Sequence, residues 1–369
     1  MKQELPALTS LRFFAAAAIV ALHAAQVPGF PSSNFGGFTL NHGVSFFYVL
    51  SGFILQYSYR DREIQWSQFF TLRVARIWPL HVCALALALA LRWSDLTSWI
   101  HANMSAWSLA SVVFLLQAWS PSSATYFGIN GVAWSLSVEM FFYACFPLLT
   151  VAFRRRPWLA LVAMLAVRVA YIYGTWSVEA LHEYSGGLYT INPMSRILEF
   201  AIGIFATEMW MRARERSVRA PATLEIGALA AVALADLATM PIVNQLWGFI
   251  PPVRTTAYVM APDVAIAVML CVFASGRGMV SRALAYRPLM WLGQISFAIY
   301  LVHQPIQWAV SSLLQAIGPW GMLLVSVAMS IAVGAAAHRF IEKPAYRAVS
   351  RRLADRQVHD RAAAVQGNG

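Results

Sequence analysis

The sequence predicts an all-α integral membrane protein. The expected architecture is a helical bundle of about ten transmembrane helices plus one re-entrant or interfacial segment, with both termini cytoplasmic. Three observations carry this reading. Of 369 residues, 59% are hydrophobic and only 12% charged, whereas soluble domains are typically about 45–50% apolar and about 25% charged. Apolar runs long enough to cross a bilayer as helix, roughly 17–25 residues, recur along the whole chain. Arginines cluster at alternate ends of those runs. The net charge of +11 is therefore read as loop charge that sets orientation, and nucleic-acid binding is excluded.

The predicted spans are 7–27, 41–59, 77–92, 131–153, 157–175, 193–211, 222–240, 255–275, 289–310 and 319–339. The first has a weakly charged flank, is long for a signal sequence and carries Arg12, so it is expected to remain as a span. Basic clusters at Arg60, Arg62, Arg73 and Arg76, at Arg154, Arg155 and Arg156, at Arg212, Arg214, Arg216 and Arg219, at Arg277, Arg282 and Arg287, and from Arg339 to Arg361 go to the cytoplasm. Arg92 and Arg254 are the main basic residues at the opposite ends. Between Arg76 and the uncharged "SPSSATYFGIN" an odd number of crossings is required, and 77–92 supplies one. The apolar stretch 106–119 should then not cross. Residues 5–348 form the membrane domain, and 349–369 a polar cytoplasmic tail, amphipathic or disordered. Cys83, Cys145 and Cys271 lie in apolar stretches without ligand spacing, so they are read as packing residues and no metal site is expected.

Ionisable side chains inside a span are costly and face a partner or a wet cavity. Here they include Arg12, His23, Glu139, Arg168, Arg196, Glu199, Asp236, Asp263 and His303. Eleven residues of helix turn by about 20° beyond three turns and rise about 16 Å, so Arg12 and His23 share one face at two depths. Arg12 lies toward the cytoplasm and His23 toward the outer side. Glu139, some eight residues into a span that begins outside, is expected at a depth near His23, where a carboxylate could orient the imidazole. Arg196 and Glu199, spaced i,i+3, are expected to satisfy each other. His303 is near the outer end of its span, with Pro305 two residues on as a possible kink. Ser51 and Gly52 in "FFYVLSGFIL" suggest close helix packing. Arg73 and Arg76 stand at a cytoplasmic helix entry, where guanidiniums can bind phosphates. Tyr126, Phe127, Trp176, Tyr184, Tyr189 and Trp247 in outer segments are candidates for stacking on sugars, an interfacial aromatic belt being the commoner explanation.

Seven elements in order, "LTSLRFFAAAAIVALH", "VSFFYVLSGFIL", "RVARIWPLH", "WSLSVEMFFY", "RILEFAIGIF", "LGQISFAIYLVHQP" and "HRFIEKPAYR", cover about residues 5 to 350. In these the chain resembles the membrane acyltransferase-3 family, which O-acylates cell-surface carbohydrates. The resemblance implies a cytoplasmic acyl-CoA donor, commonly acetyl-CoA, and a carbohydrate acceptor at the outer face or within the membrane. It also implies a bacterial inner-membrane location alongside membrane lipid, and polysaccharide biosynthesis or export proteins as possible partners. Carried over residue by residue, Arg12 and His23 match the family's arginine–histidine pair, Arg73 and Arg76 its cytoplasmic arginines, and Glu139 the glutamate of its Trp-Ser-Leu-x-x-Glu element. The expected roles are His23 as general base or transient acyl carrier, with Glu139, and Arg12, Arg73 and Arg76 as donor-binding residues. His303, Trp134 and His42 are candidates for acceptor binding. The rival readings are a flippase of lipid-linked sugars, disfavoured by the lack of internal repeats, a non-enzymatic subunit of an export complex, and acylation of a small glycosylated metabolite.

Overall fold

The computed structural model describes residues 4–31, 37–213, 222–246, 251–276 and 278–366. Arg214, Arg216, Arg219, Trp247 and Arg277 lie outside those residues. Every regular element among the described residues is helical. The first helices in chain order are α1 (Pro6–Ala24), α2 (Gly43–Tyr59), α3 (Trp66–Leu91), α4 (Trp93–Asn103), α5 (Ala106–Val113), α6 (Ser123–Tyr126) and α7 (Trp134–Arg155). They are followed by α8 (Pro157–Trp176), α9 (Ser185–Thr190), α10 (Pro193–Ala213), α11 (Ala222–Gln245), α12 (Pro251–Met260) and α13 (Asp263–Ala274). The chain closes with α14 (Met279–Leu284), α15 (Arg287–Leu313), α16 (Gly318–Ala337) and α17 (Lys343–Gln366). Each predicted span falls on one of these helices, except that 255–275 is divided between α12 and α13. The polar tail is helical too, and α17 runs through the boundary expected at 348.

Seven helical stretches are long and apolar enough to cross a membrane by length and composition, and the chain is a multi-pass membrane protein. The spans that fall below that threshold are α2, α10 and α15. They are also the helices with long rows of buried residues, including the charged Arg196, Glu199 and Glu208. α2 falls short by length, at 17 residues; α10 and α15, surrounded by protein, need not be apolar all round, so their hydropathy underreports their depth.

Glycines set how closely these central helices approach. A methyl group on Gly52 would fall 2.1 Å from the Phe200 carbonyl oxygen, and one on Gly203 would fall 2.0 Å from that of Val49. The α2–α10 crossing therefore needs both glycines, as the small-residue packing of membrane helices does. Gly293 does the same for α15 against α1, where a methyl group would meet the Thr9 carbonyl at 1.9 Å. α1 and α15 run parallel, with Thr9 against Gly293, Gln307 bonded to Val20 and Ser311 to Pro28 in rising order. α7 likewise runs parallel to α2, with Ser135 against Tyr48, Glu139 against Ser51 and Thr150 against Gln56.

Between α3 and α7 the helices have 11, 8 and 4 residues, and none is long enough to cross. α5 is eight residues, about 12 Å, too short to span. Its last carbonyls are capped from α3, where Trp78 Nε1 donates to Val113 at 3.0 Å and His81 Nε2 meets the Val112 oxygen at 2.9 Å. Non-helical backbone at membrane depth survives only where protein satisfies it. The same logic anchors the next stretch. Pro305 has no N–H, so the Leu301 carbonyl of α15 loses its helical partner. Asn130 Nδ2 takes that oxygen at 2.9 Å. Residues 129–133 are thus buried plug, not an outer loop.

Candidate active site

The sequence-predicted residues fall into two adjacent groups and one that stands apart. The first group surrounds a cavity of about 140 Å³ between α1, α2, α3, α7 and α15. Arg12, Arg73, Arg76 and Glu139 all line it, with Ser51, Tyr143, Ser135 and Tyr300. A second cavity, about 240 Å³, continues along α1 toward Glu4 and shares Arg12, Leu50 and Ile54. Arg73 is held in an aromatic box, its guanidinium 5.9, 5.4 and 5.8 Å from the ring centres of Tyr59, Phe69 and Tyr143. Its Nη2 donates to the Tyr59 hydroxyl at 3.2 Å, and its buried Nε has no hydrogen-bond partner among the described residues. Arg76 Nε faces Glu342 Oε1 at 3.8 Å. Arg12 makes no hydrogen bond or close ion pair among the described residues, although Arg76, Glu139 and Glu342 are its charged neighbours. Three guanidiniums thus meet two carboxylates, which leaves net positive charge in a partly open cavity.

Glu139 requires a correction. It was expected beside His23, but it accepts hydrogen bonds from Ser51 (3.3 Å) and from Tyr143 inside the arginine cavity. The reason is the plug. Because 129–133 is buried, α7 begins at Trp134 well inside the protein. Ser135 is level with Tyr300, their hydroxyls 2.9 Å apart. Glu139 is one turn below Ser135 and His303 nearly one turn above Tyr300, so the carboxylate sits roughly 10 Å beneath the imidazoles.

The second group is the imidazole pair. His23 Nδ1 lies 2.9 Å from His303 Nε2, with the rings stacked 5.2 Å apart. His303 is fully buried, and its Nδ1 faces the Tyr300 carbonyl oxygen at 2.7 Å. A carbonyl can only accept, so His303 Nδ1 carries the proton. The Nε2 of a neutral His303 is then a lone pair, and it must accept from His23 Nδ1–H. His23 is left with its own lone pair on Nε2, which has no hydrogen-bond partner among the described residues. His303 does for His23 what a carboxylate does in a hydrolase triad: it fixes tautomer and orientation. Tyr300 links the groups, since its ring lines the arginine cavity while its carbonyl holds His303. His23 is not among the residues lining that cavity.

His42 and Trp134 stand apart from both groups. His42 Nδ1 is bonded to Asp236 Oδ1 of α11, and its Nε2 faces the Tyr258 carbonyl at 3.0 Å. Trp134 packs edge-on against Tyr48 beneath the Arg196 guanidinium. Arg196 pairs with Glu199 at 2.7 Å, as its spacing suggested. Tyr126 and Tyr189 are buried, and Trp176 stacks on His182, so these outer aromatics are mostly engaged within the protein. Sequence reasoning missed Tyr143, Tyr300 and Glu342. A π-helical turn at His338–Glu342 directs Glu342 inward, where His338 Nδ1 holds it at 2.8 Å. The "HRFIEKP" element was visible, and such turns favour functional sites, but its partner Arg76 was not legible in it.

A half-open cationic cavity and, beside it, an oriented base are held on a scaffold of crossing helices. The sequence profile of the acyltransferase-3 family, described as an acyltransferase domain, matches residues 5–339. The chain belongs to that family. It is similar to acyltransferase MdmB of Streptomyces mycarofaciens, with 30% identity over 95% of this chain and 93% of that one. It is also similar to the exopolysaccharide production protein ExoZ of Rhizobium meliloti (strain 1021), at 26% over 83% and 89%. The peptidoglycan O-acetyltransferase OatA of Listeria monocytogenes serovar 1/2a shares 23% identity over 93% of this chain but only 56% of its own length. No solved structure matches.

Proposed function

We propose that the protein transfers an acyl group, acetyl in the simplest case, from a cytoplasmic acyl-CoA to a carbohydrate hydroxyl presented on the outer side of the bacterial inner membrane. Ten crossings with both termini cytoplasmic give this vectorial arrangement its sense. The observation that carries the reading is the His23–His303 pair, whose partners leave a lone pair on His23 Nε2. Membership of the acyltransferase family supports the reaction class. A relative named for exopolysaccharide production and one named a peptidoglycan O-acetyltransferase support a carbohydrate acceptor.

In this proposal Arg12, Arg73 and Arg76 hold the donor's polyanionic end by charge-assisted hydrogen bonds. Glu139 and Glu342 keep the three guanidiniums from repelling one another apart. His23 Nε2 removes the proton from the acceptor hydroxyl as its oxygen bonds to the acyl carbon. The carbon–sulfur bond breaks, the coenzyme leaves as a thiolate, and the proton held on the His23 imidazolium passes to that sulfur, which restores neutral His23. The products are a carbohydrate ester and free coenzyme A thiol.

The test is purified protein given acetyl-CoA and a fragment of a surface glycan. Release of free thiol together with a gain in glycan mass of one acetyl group is expected. Transport of a lipid-linked sugar with no thiol release would overturn the reading.

A further inference from the structure

A separate opening of about 620 Å³ lies at the outer end of the two helices that carry the imidazoles. Its floor includes Val27 and Pro28, which follow His23 out of α1. One wall is the end of α15, where Trp308 and Ser312 rise about 8 Å and 14 Å above His303. The other wall is the α3–α4 junction, with Arg92, Trp93 and Asp95. Ser311 Oγ donates to the Pro28 carbonyl at 2.6 Å and ties the α1 exit to α15. Deepening the proposed function, on which it rests, we infer that this opening is the acceptor site and that it takes an uncharged sugar.

The chemistry of the walls points to that class. Sugar rings have apolar C–H faces bounded by hydroxyls, so a site for them joins aromatic faces to planar polar groups. The Arg92 guanidinium lies 4.5 Å over the Trp308 ring and fixes it in place. Trp93 stands beside it with 67% of its surface exposed. Asp95 can accept two hydroxyl protons, and Gln315 can both donate and accept. One arginine and one aspartate cancel, so nothing here recruits a phosphate in the way the arginine cavity does. An interfacial tryptophan belt explains isolated exposed residues such as Trp99 and Trp107. It does not explain a guanidinium, a carboxylate and an amide gathered with two indoles round one cavity.

The experiment uses the full-length protein in detergent micelles, with methyl glucoside, N-acetylglucosamine and cellotetraose as probes for saturation-transfer NMR. Wild type is expected to transfer saturation to at least one probe. Trp308→Leu with Arg92→Gln should lower that signal at least fivefold and raise the acceptor KM about tenfold, while the KM for acetyl-CoA stays within twofold. Equal signals from wild type and the double variant, or an unchanged acceptor KM, overturn the site. Failure of the parent reading looks different: wild type would bind sugar in the variant-sensitive way yet release no thiol from acetyl-CoA.

Discussion

Two histidines are each held by a side-chain partner, His42 by Asp236 and His23 by His303, and they differ in what they leave unused. His42 is held between Asp236 and the Tyr258 carbonyl, so both ring nitrogens face acceptors. His23 is held by one nitrogen only, through His303, and keeps the other available. The first pair fastens the segment before α2 to α11 and α12. The second orients a base. A buried histidine is therefore ranked by its spare capacity, not by its depth or its ionisable character.

That contrast is broken or sharpened by substitution. The largest effect is expected at His23. His23→Ala should reduce acyl transfer to below about 1% of wild type, since a positioned base contributes on the order of 10²–10⁴. Membrane insertion and donor binding should remain, and turnover near wild type would remove His23 from the chemistry. His303 comes next. His303→Phe keeps volume but cannot accept from His23 Nδ1, and kcat should fall on the order of 10²-fold with acceptor KM little changed. His303→Gln restores an acceptor and should recover part of that loss. Equal activity in the two variants would mean that His303 acts only by packing.

The helices were legible in the sequence because apolar length and arginine placement are one-dimensional signals. Arg12 and His23 were legible as a shared face because one helix carries both. The His23–His303 contact joins residues 280 apart in sequence, and no local pattern encodes it. Glu139 was assigned the wrong neighbour because its depth was counted from an assumed outer loop. Asn130 had in fact been drawn inward to serve the carbonyl that Pro305 leaves free. Pro305 was visible as a perturbation, but its consequence for α7, in another part of the chain, was not.

Smaller effects are expected at the arginine cavity. Arg73→Ala removes a partly buried cation whose buried Nε is unsatisfied, and a charge-assisted hydrogen bond contributes about 1.5–3 kcal/mol. The KM for acetyl-CoA should rise about tenfold or more, with the acceptor KM unchanged. A rise confined to the acceptor would detach the cavity from the donor.

The smallest catalytic effect, and the sharpest check on the comparison, belongs to His42. Among the described residues, His42→Phe leaves Asp236 with the Thr39 backbone N–H and hydroxyl, at 2.9 and 2.7 Å. Losing one partner of a buried polar pair costs about 1–3 kcal/mol, so the apparent Tm in detergent should fall by several degrees. Because neither His42 nitrogen is free for substrate, kcat/KM for the protein that remains folded should stay within about twofold of wild type. A variant that keeps its Tm but loses acceptor turnover would reverse the assignment. It would place His42, and not only the outer opening beside Trp308, in contact with the carbohydrate.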